Sequence, residues 1–175
     1  DAAGVLNMPH FKTHKSLRIA KMQQDAGAVG ITCQKLGEAE VLAEGGFKTI
    51  FISYNILGTA KVTRLQRLAK MVSLSLACDN VVVAQFLSDA ISPTGATVEV
   101  LVECDTGRNR SGVVTPQKAA DLASLVDGLP GLTLGGLMTY APPGDPSPLA
   151  PSAAASASSS KCDVCAWRSS GRRSC

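Results

Sequence analysis

The sequence lacks an excess of charge of one sign. Its 175 residues carry 17 Lys and Arg against 14 Asp and Glu, which gives a net charge of +3. Three of the positive charges, Arg168, Arg172 and Arg173, stand near the end of the chain and leave the body close to neutral. Because binding to nucleic acid needs clustered Lys and Arg to neutralise phosphates, we expect no nucleic-acid partner.

Long apolar runs are also missing. A helix that spans a bilayer needs roughly 20 consecutive apolar residues, and the sequence has no such run. Residues 1–9 show no basic segment followed by an apolar one, which is the pattern of a secretory signal. We therefore expect a cytoplasmic protein that does not associate with membranes.

Neither a disulfide framework nor a zinc site is complete. Of the six cysteines, Cys33, Cys78 and Cys104 stand in or beside apolar strand-like runs, where a reduced buried thiol is the ordinary state. Cys162 and Cys165 form a C-x-x-C motif, but no second pair completes a tetrahedral site. We predict reduced thiols and no metal site.

Short apolar runs alternate with segments of helical apolar spacing. This alternation favours βαβ units and a parallel sheet. A closed (β/α)8 barrel has eight strands and about 250 residues, so the six strands visible here indicate either an open doubly wound sheet or a barrel without its last units. The predicted strands are residues 5–11, 29–33, 49–52, 73–77, 98–104 and 133–139.

Three helices can be placed from their caps and apolar spacing. We predict that the first begins after the N-cap Ser16 and packs the face of Ile19, Met22 and Ala26 on the sheet. A second, over residues 61–72, leaves its Lys and Arg side chains in water. The third helix begins with the cap pair Thr115 and Pro116 and is predicted to bury Ala119, Leu122 and Val126.

Composition changes abruptly after Tyr140. The following residues are rich in Pro, Ala, Ser and Gly, and such a segment cannot bury enough apolar surface to offset the entropy of ordering. Residues 161–175 show no periodicity. We predict a partial barrel over residues 1–140 and a disordered or frameshifted tail over residues 141–175.

The most informative segment is PHFKTHK at residues 9–15, at the carboxyl end of the first predicted strand. Functional groups of α/β proteins gather at that end. If the strand continues, its period of two places His10, Lys12 and His14 on one face. Burying an ammonium costs several kcal/mol unless it is paired, so a lysine aimed into a barrel mouth is often a reactive amine.

Two other interpretations of this segment stay open from the residues alone. In the first, Lys12 and Lys15 are solvent-exposed loop lysines, while His10 and His14 only accept backbone N–H groups. In the second, the two histidines bind a metal, but two ligands at a strand end are too few to support a site.

Five segments, taken in order, resemble one family. PHFKTHK resembles the active-site lysine segment of the D-threonine aldolase and D-serine dehydratase family, alanine racemase-like barrel enzymes that use pyridoxal phosphate. GAVGITCQKLGEAE at residues 27–40 is similar to its second strand and the start of the following helix, and ISYNILG at residues 52–58 to the end of its third strand. ECDTGRNRSGV at residues 103–113 is similar to its Asp-Thr-Gly-x-x-Arg-x-Gly segment, and GLMTY at residues 136–140 to the strand after it.

The resemblance implies a fold and a site. The fold is a partial (β/α)8 TIM-type barrel like the alanine racemase N-terminal domain, without the last barrel units and the C-terminal β domain. Lys12 is the catalytic residue that carries pyridoxal phosphate, and His10 is a further cofactor-binding residue. Arg110 lies near the phenolic oxygen of the cofactor and Tyr140 beside its pyridine ring. Without the resemblance, Arg110 is an exposed loop arginine and Tyr140 a core tyrosine.

The implied activity is that of a lyase. It cleaves D-threonine-like β-hydroxy-D-amino acids to glycine and an aldehyde, with D-serine dehydration as the alternative and an inert truncated member or gene-model fragment as a third reading. The family's divalent-metal ligands lie in its C-terminal part, and we do not expect them in this chain. The expected partner is a small D-amino acid, and a homodimer is left open.

Overall fold

The structure, a computed structural model, describes residues 5–141. The strands are β1 (Ile31–Cys33), β2 (Thr49–Ile52), β3 (Ser73–Cys78), β4 (Val98–Cys104) and β5 (Leu132–Thr139). The helices are α1 (Leu17–Asp25), α2 (Leu36–Glu44), α3 (Val62–Met71), α4 (Val81–Ile91) and α5 (Pro116–Gly128). The predicted tail lies outside the described residues apart from Ala141, and the domain boundary at residue 140 stays a prediction.

The strands form one parallel sheet in the order β1-β2-β3-β4-β5. Each crossover moves to the next position in the same direction, as in a (β/α) barrel, whereas a doubly wound sheet reverses its order at a switch point. Helices α2 to α5 pack against their neighbours in sequence order. The prediction of barrel-type α/β architecture is confirmed, and the doubly wound alternative is wrong.

The two faces of the sheet differ because side chains alternate along each strand. On the face toward the helices, Ile52, Leu76 and Val100 are neighbours in the strand register and are fully buried. The opposite, concave face borders a cavity of about 230 Å³. The cavity is lined by Leu6, Met8, Thr32, Phe51, Ser75 and Leu101.

The segment before β1 is not the strand predicted for residues 5–11. Only His10 forms a parallel bridge, with Thr32 of β1. Pro9 has no N–H to donate, so a continuous ladder cannot form through it. The backbone hydrogen bonds that remain join Val29 to Asn7, Thr32 to Pro9 and Phe11 to Thr32.

Helix α1 begins as predicted but exposes the face that was expected to pack. Ser16 caps it, with its Oγ accepting from the N–H of Ile19 at 3.4 Å. Ile19 is 40% and Met22 62% exposed, and Ala26 is also exposed, whereas Ala20 is the residue of α1 that is buried. The spacing identified the helix correctly, but the prediction of its buried face was wrong because that face is set by tertiary neighbours.

The other two helix predictions are confirmed. Helix α3 exposes Arg64 and Arg67, which pair with carboxylates of α2. Helix α5 begins at the cap Thr115, whose side chain accepts from the N–H of Lys118. It buries Ala119, Leu122 and Val126.

Cys33 and Cys78 are buried thiols, as the apolar runs around them predicted. Burial raises the pKa of Cys33 to about 12 and also raises the pKa of Cys78. Both thiols are therefore poor nucleophiles in the folded chain. Over residues 5–141, no helix combines the length and the apolar character that a membrane crossing requires.

Candidate functional site

Lys12 lies in a turn directly after the bridge at His10. The turn is closed by the N–H of Lys15, which donates to the carbonyl of Phe11 at 2.9 Å. The Lys12 side chain is exposed, and its Nζ donates to Oε1 of Gln34 at 3.1 Å. Gln34 directly follows β1, so the amine is held above the carboxyl end of that strand. The strand does not continue through Lys12, which lies in the turn at the carboxyl rim where the sequence placed it.

Both ring nitrogens of His10 have hydrogen-bonding partners. Its Nδ1 accepts the backbone N–H of Lys12 at 3.2 Å, so in the neutral ring the proton is on Nε2. Nε2 lies 3.3 Å from Oγ of Ser53, which donates to the carbonyl of Cys33. Burial, and then the Lys12 ammonium, lower the pKa of His10, against a smaller opposing effect of Glu38. The neutral imidazole is thereby favoured and fixes the turn that carries Lys12.

His14 does not share a face with His10 and Lys12, contrary to the prediction from strand periodicity. Its ring packs edge-on against Phe11 with centroids 5.4 Å apart. Its Nδ1 accepts the N–H of Ser16 at 3.2 Å. The period of two fails here because the chain turns after Phe11. Both histidines accept a backbone N–H, as one alternative interpretation expected, and only His10 contacts the lysine.

Asp79, after β3, joins three loops of the carboxyl rim. Its carboxylate accepts from Nδ2 of Asn55 at 2.7 Å, from Nδ2 of Asn80 at 2.7 Å and from the N–H of Gly112 at 3.1 Å. The first bond fixes the orientation of the Asn55 amide. Oδ1 of Asn55 is then buried without a hydrogen-bond partner within the described part of the chain. The network connects the Lys12 side of the rim to the loop after β4.

The loop after β4 is held by its own backbone. Oδ1 of Asp105 accepts from the N–H groups of Gly107, Arg108 and Asn109 at 2.9, 2.9 and 3.1 Å. These bonds, with Gly107 the largest contributor, lower the pKa of Asp105. Gly112 has a φ of +101°, and a Cβ there would lie 2.5 Å from the Asp105 nitrogen. Only glycine fits that close approach.

Buried Glu103 anchors the same loop from the concave face of β4. Its side chain is 3% exposed in relative terms, and Oε1 accepts from Oγ of Ser111 at 2.6 Å. The backbone closes the loop, since the N–H of Val113 donates to the Glu103 carbonyl at 2.8 Å and the N–H of Asp105 to the Val113 carbonyl at 2.9 Å. The loop is therefore tied at both ends.

Arg108 and Arg110 meet at the ring of Tyr140. The Arg108 guanidinium carbon lies 4.1 Å from the ring centroid, and that of Arg110 lies 5.4 Å from it. A terminal nitrogen of Arg108 lies 3.3 Å from the Tyr140 hydroxyl, and the other donates to the carbonyl of Ala141 at 3.2 Å. Tyr140 is 44% exposed within the described residues.

The structure thus places the predicted residues in two clusters on one rim. Lys12 and His10 lie beside β1, and Arg110 and Tyr140 lie at the ends of β4 and β5. The interior of an eight-stranded barrel is just wide enough for side chains to fill, so long side chains from separate strands can reach a common mouth. The roles assigned to these four residues stay predictions.

Sequence reasoning missed three residues that contact the predicted ones and a fourth that anchors the loop of Arg110. Gln34 and Ser53 each directly follow a strand, which is a usable signal because parallel strands end at the same rim. Arg108 is in the same loop as Arg110, two positions earlier. Glu103 had no signal, since a glutamate in an apolar strand gives no information about its partner.

The donor set suits an anionic aldehyde cofactor better than a metal. An accessible amine, a neutral imidazole and two guanidinium groups lie on one rim, which fits a group that is held covalently and by charge. Across residues 5–141, no group of three or more His, Cys, Asp or Glu side chains is arranged to hold a metal ion.

Comparisons with known proteins agree on one family. The model of the alanine racemase N-terminal domain matches residues 4–160. A D-threonine aldolase of Arthrobacter sp. is 38% identical over 140 residues, covering 80% of this chain and 37% of that protein. A D-threo-3-hydroxyaspartate dehydratase of Delftia sp. is 38% identical over 144 residues, covering 81% of this chain and 37% of that protein.

A solved structure shows the same similarity. The crystal structure of D-threonine aldolase from Filomicrobium marinum matches with a TM-score of 0.76 and 38% identity, over 78% of this chain and 37% of that one. The chain spans a little over a third of the length of these relatives.

Proposed function

Because the chain belongs to the family of the alanine racemase N-terminal domain, we propose that it forms the lysine-bearing part of a pyridoxal phosphate-dependent D-amino-acid lyase. The observation that carries the proposal is the position of Lys12. Its amine is exposed on the carboxyl rim of a barrel-type sheet, and a neutral histidine and a glutamine orient it.

The residues present fit the cofactor. Lys12 would hold it covalently, and Arg110 would place a positive charge near its phenolic oxygen. Tyr140 would border its ring. The bound cofactor supplies an electron sink for the electrons released at the substrate α-carbon.

The residues of this chain then have separate tasks. Lys12 Nζ would take or return a proton at the substrate α-carbon. Gln34 holds Nζ by accepting its N–H, and His10 fixes the turn by accepting the backbone N–H of Lys12. Because His10 favours its neutral form, it adds no further positive charge beside Lys12.

The reaction that we favour is retro-aldol cleavage of a β-hydroxy-D-amino acid to glycine and an aldehyde. Its support is the similarity to the aldolase of Arthrobacter sp. and to the aldolase structure. Dehydration is the second candidate, because the dehydratase of Delftia sp. is equally similar at 38% identity. Both reactions need the amine, the electron sink and a hydroxyl on the β-carbon.

The attachment of the cofactor is tested by borohydride reduction of the chain after incubation with pyridoxal phosphate, followed by peptide mapping. We expect the pyridoxyl label on Lys12 and none in the Lys12→Ala variant. Lys15→Ala is the matched control, since Lys15 is exposed and directed toward Glu38 at 3.6 Å. Label on Lys15 with none on Lys12 would overturn the assignment, and no label at all would favour an inert chain.

The reaction is tested by its products, with a chain that has been shown to take the pyridoxyl label on Lys12. D-Threonine should give glycine and acetaldehyde, whereas a dehydratase should give pyruvate and ammonia from D-serine. Appearance of the second pair alone would replace the aldolase proposal by the dehydratase one.

A further inference from the structure

Glu38 is a charged residue near Lys12 to which neither the family resemblance nor the proposed function gives a task. It lies in the first turn of α2, the helix that follows β1. Its carboxylate contacts the two segments between which the Lys12 amine is held. We propose that Glu38 is a positioning residue for Lys12, which keeps Gln34 and the turn of residues 12–15 in their relative position. The meaning of this role for catalysis rests on the proposed function, whereas the contacts themselves do not.

The shorter contact of Glu38 is with Gln34. Its Oε2 accepts from the backbone N–H of Gln34 at 2.9 Å, and Oε1 of Gln34 accepts from Nζ of Lys12 at 3.1 Å. Helix N-termini leave N–H groups unpaired and favour a negative charge, and the N-cap residue Lys35 provides no side-chain hydrogen bond. Glu38 directs one oxygen past this helix end to the residue before the cap. That hydrogen bond fixes the backbone of the residue whose side chain receives the Lys12 amine.

The second contact of Glu38 is with the turn that carries Lys12. Its Oε1 lies 3.6 Å from Nζ of Lys15. Lys15 has a φ of +49°, a left-handed conformation that residues other than glycine rarely adopt, and its N–H closes the turn on the Phe11 carbonyl. Because the Lys15 side chain is 62% exposed, water screens this ion pair and it contributes little by itself. The bond to Gln34 is therefore the main link, and the pair with Lys15 limits where the turn can lie relative to α2.

Burial distinguishes Glu38 from the other two carboxylates of α2. The Glu38 side chain is 10% exposed, against 25% for Glu40 and 57% for Glu44. The latter two pair with arginines of α3, on the side of the helix away from the turn. Burying a carboxylate is costly unless hydrogen bonds compensate it, so the bond to the Gln34 N–H also keeps Glu38 in place.

The charge of Glu38 also reaches the imidazole of His10. Burial, and then the Lys12 ammonium, lower the pKa of His10, and the Glu38 carboxylate acts in the opposite direction. Such effects come from nearby charges, so the carboxylate lies close to the histidine that fixes the Lys12 backbone. Removing the charge of Glu38 should therefore lower the pKa of His10 further.

The test is amide hydrogen exchange of the whole chain, followed by NMR without cofactor. In Glu38→Ala, the N–H groups of Lys12 and Lys15 should exchange about two- to tenfold faster, as the loss of one hydrogen bond predicts. Glu38→Gln keeps an acceptor oxygen for the Gln34 N–H and should restore most of the protection. Glu40→Ala removes a carboxylate of α2 that pairs with α3, and as the matched control it should leave both N–H groups unchanged. Faster exchange confined to Gln34 and α2 would reduce Glu38 to a helix cap and overturn the proposal.

A second arm tests the charge, and it decides the matter even if Glu38→Ala does not fold. In a His14→Gln background, His10 is the single histidine of the chain. Its titration, followed by NMR, should move to lower pH when Glu38→Gln removes the carboxylate. An unchanged titration would show that the carboxylate does not face the turn, and would overturn the proposal.

The pyridoxyl label separates this proposal from the proposed function. Label on Lys12 that falls in Glu38→Ala and returns in Glu38→Gln would support both. Faster exchange at Lys12 in Glu38→Ala, in a chain that takes no label, would support the role of Glu38 and refute the proposed function. Label on Lys12 with neither the label nor the exchange changed in Glu38→Ala would do the opposite.

Discussion

The face of the sheet toward helices α2 to α5 is apolar, whereas the concave face carries Thr32, Ser75, Glu99 and Glu103. On the helix side, packing needs no partner of a particular chemistry. On the concave side, each of these polar side chains is hydrogen-bonded. The bonds join Ser75 to Glu99 at 2.7 Å, Ser111 to Glu103 at 2.6 Å and Thr32 to the Met8 carbonyl at 2.8 Å.

This difference separates stability from function within one sheet. Apolar burial contributes about 25 cal/mol for each Å² removed from water and requires no partner, so the helix side supplies most of the folding free energy. A buried polar group is costly unless it is hydrogen-bonded, so the concave face gains little from burial. Its polar groups instead position the rim where Lys12 and Arg108 lie.

The largest expected effect comes from replacing one leucine on each face of the sheet. Leu76→Ala, on the helix side, removes a fully buried side chain and should cost about 2–5 kcal/mol of unfolding free energy. Leu101→Ala, on the concave side, enlarges an existing cavity and should cost about 1–2 kcal/mol, since fewer contacts are lost. Urea unfolding followed by circular dichroism measures both. Equal losses would show that the concave face is as closely packed as the other.

A smaller effect is expected from the buried bond between Glu103 and Ser111. Single substitutions of each to Ala, and the double substitution, form a cycle whose coupling energy should be about 1–3 kcal/mol, the range for a hydrogen bond to a carboxyl group. Glu103→Gln keeps the shape and an acceptor oxygen, and serves as the control. A coupling energy near zero would show that Glu103 does not hold the loop through Ser111.

The pH dependence of stability tests His10. Because the folded pKa of His10 lies below its ordinary value of 6.5, the unfolded chain binds the proton more readily. Its contribution is fully present above about pH 6.5 and is lost as the pH falls through the folded pKa. Urea unfolding at several pH values should show this loss in the natural chain and in His14→Gln, but not in His10→Gln. The same slope in His10→Gln would contradict the assignment.

Much of the fold could be predicted because strand and helix periodicity are local properties. The strands β2 to β5, the caps Ser16 and Thr115 and the buried face of α5 followed from spacing and cap chemistry alone. The strand predicted over residues 5–11 is absent, because Pro9 interrupts the ladder and the neighbouring strand decides which backbone bonds remain. The buried face of α1 failed for the same reason, since it depends on tertiary contacts.

The candidate site was predictable only in part. Lys12 and His10 adjoin each other, as their spacing indicated, and Arg110 and Tyr140 meet although 30 positions separate them. The family resemblance, and not physical reasoning on the sequence, selected these two residues, and neither predicted that they contact each other. Arg108 was missed because an arginine in a loop has no periodicity, and only the stacked geometry on Tyr140 shows its position.

The smallest effect is expected outside the sheet, between helices α2 and α3. Arg67 and Glu44 form an ion pair at 3.1 Å, but their side chains are 64% and 57% exposed. Water and salt screen such a pair, and ordering two long side chains costs entropy, so Arg67→Gln should lower the unfolding free energy by at most about 0.5 kcal/mol. Even this difference should vanish in about 0.5 M NaCl, where the Debye length is only a few ångströms. A loss of unfolding free energy above about 1.5 kcal/mol that persists in salt would mean that charge between the helices stabilises the chain as well as apolar burial does. The contrast between the two faces of the sheet would then no longer account for its stability.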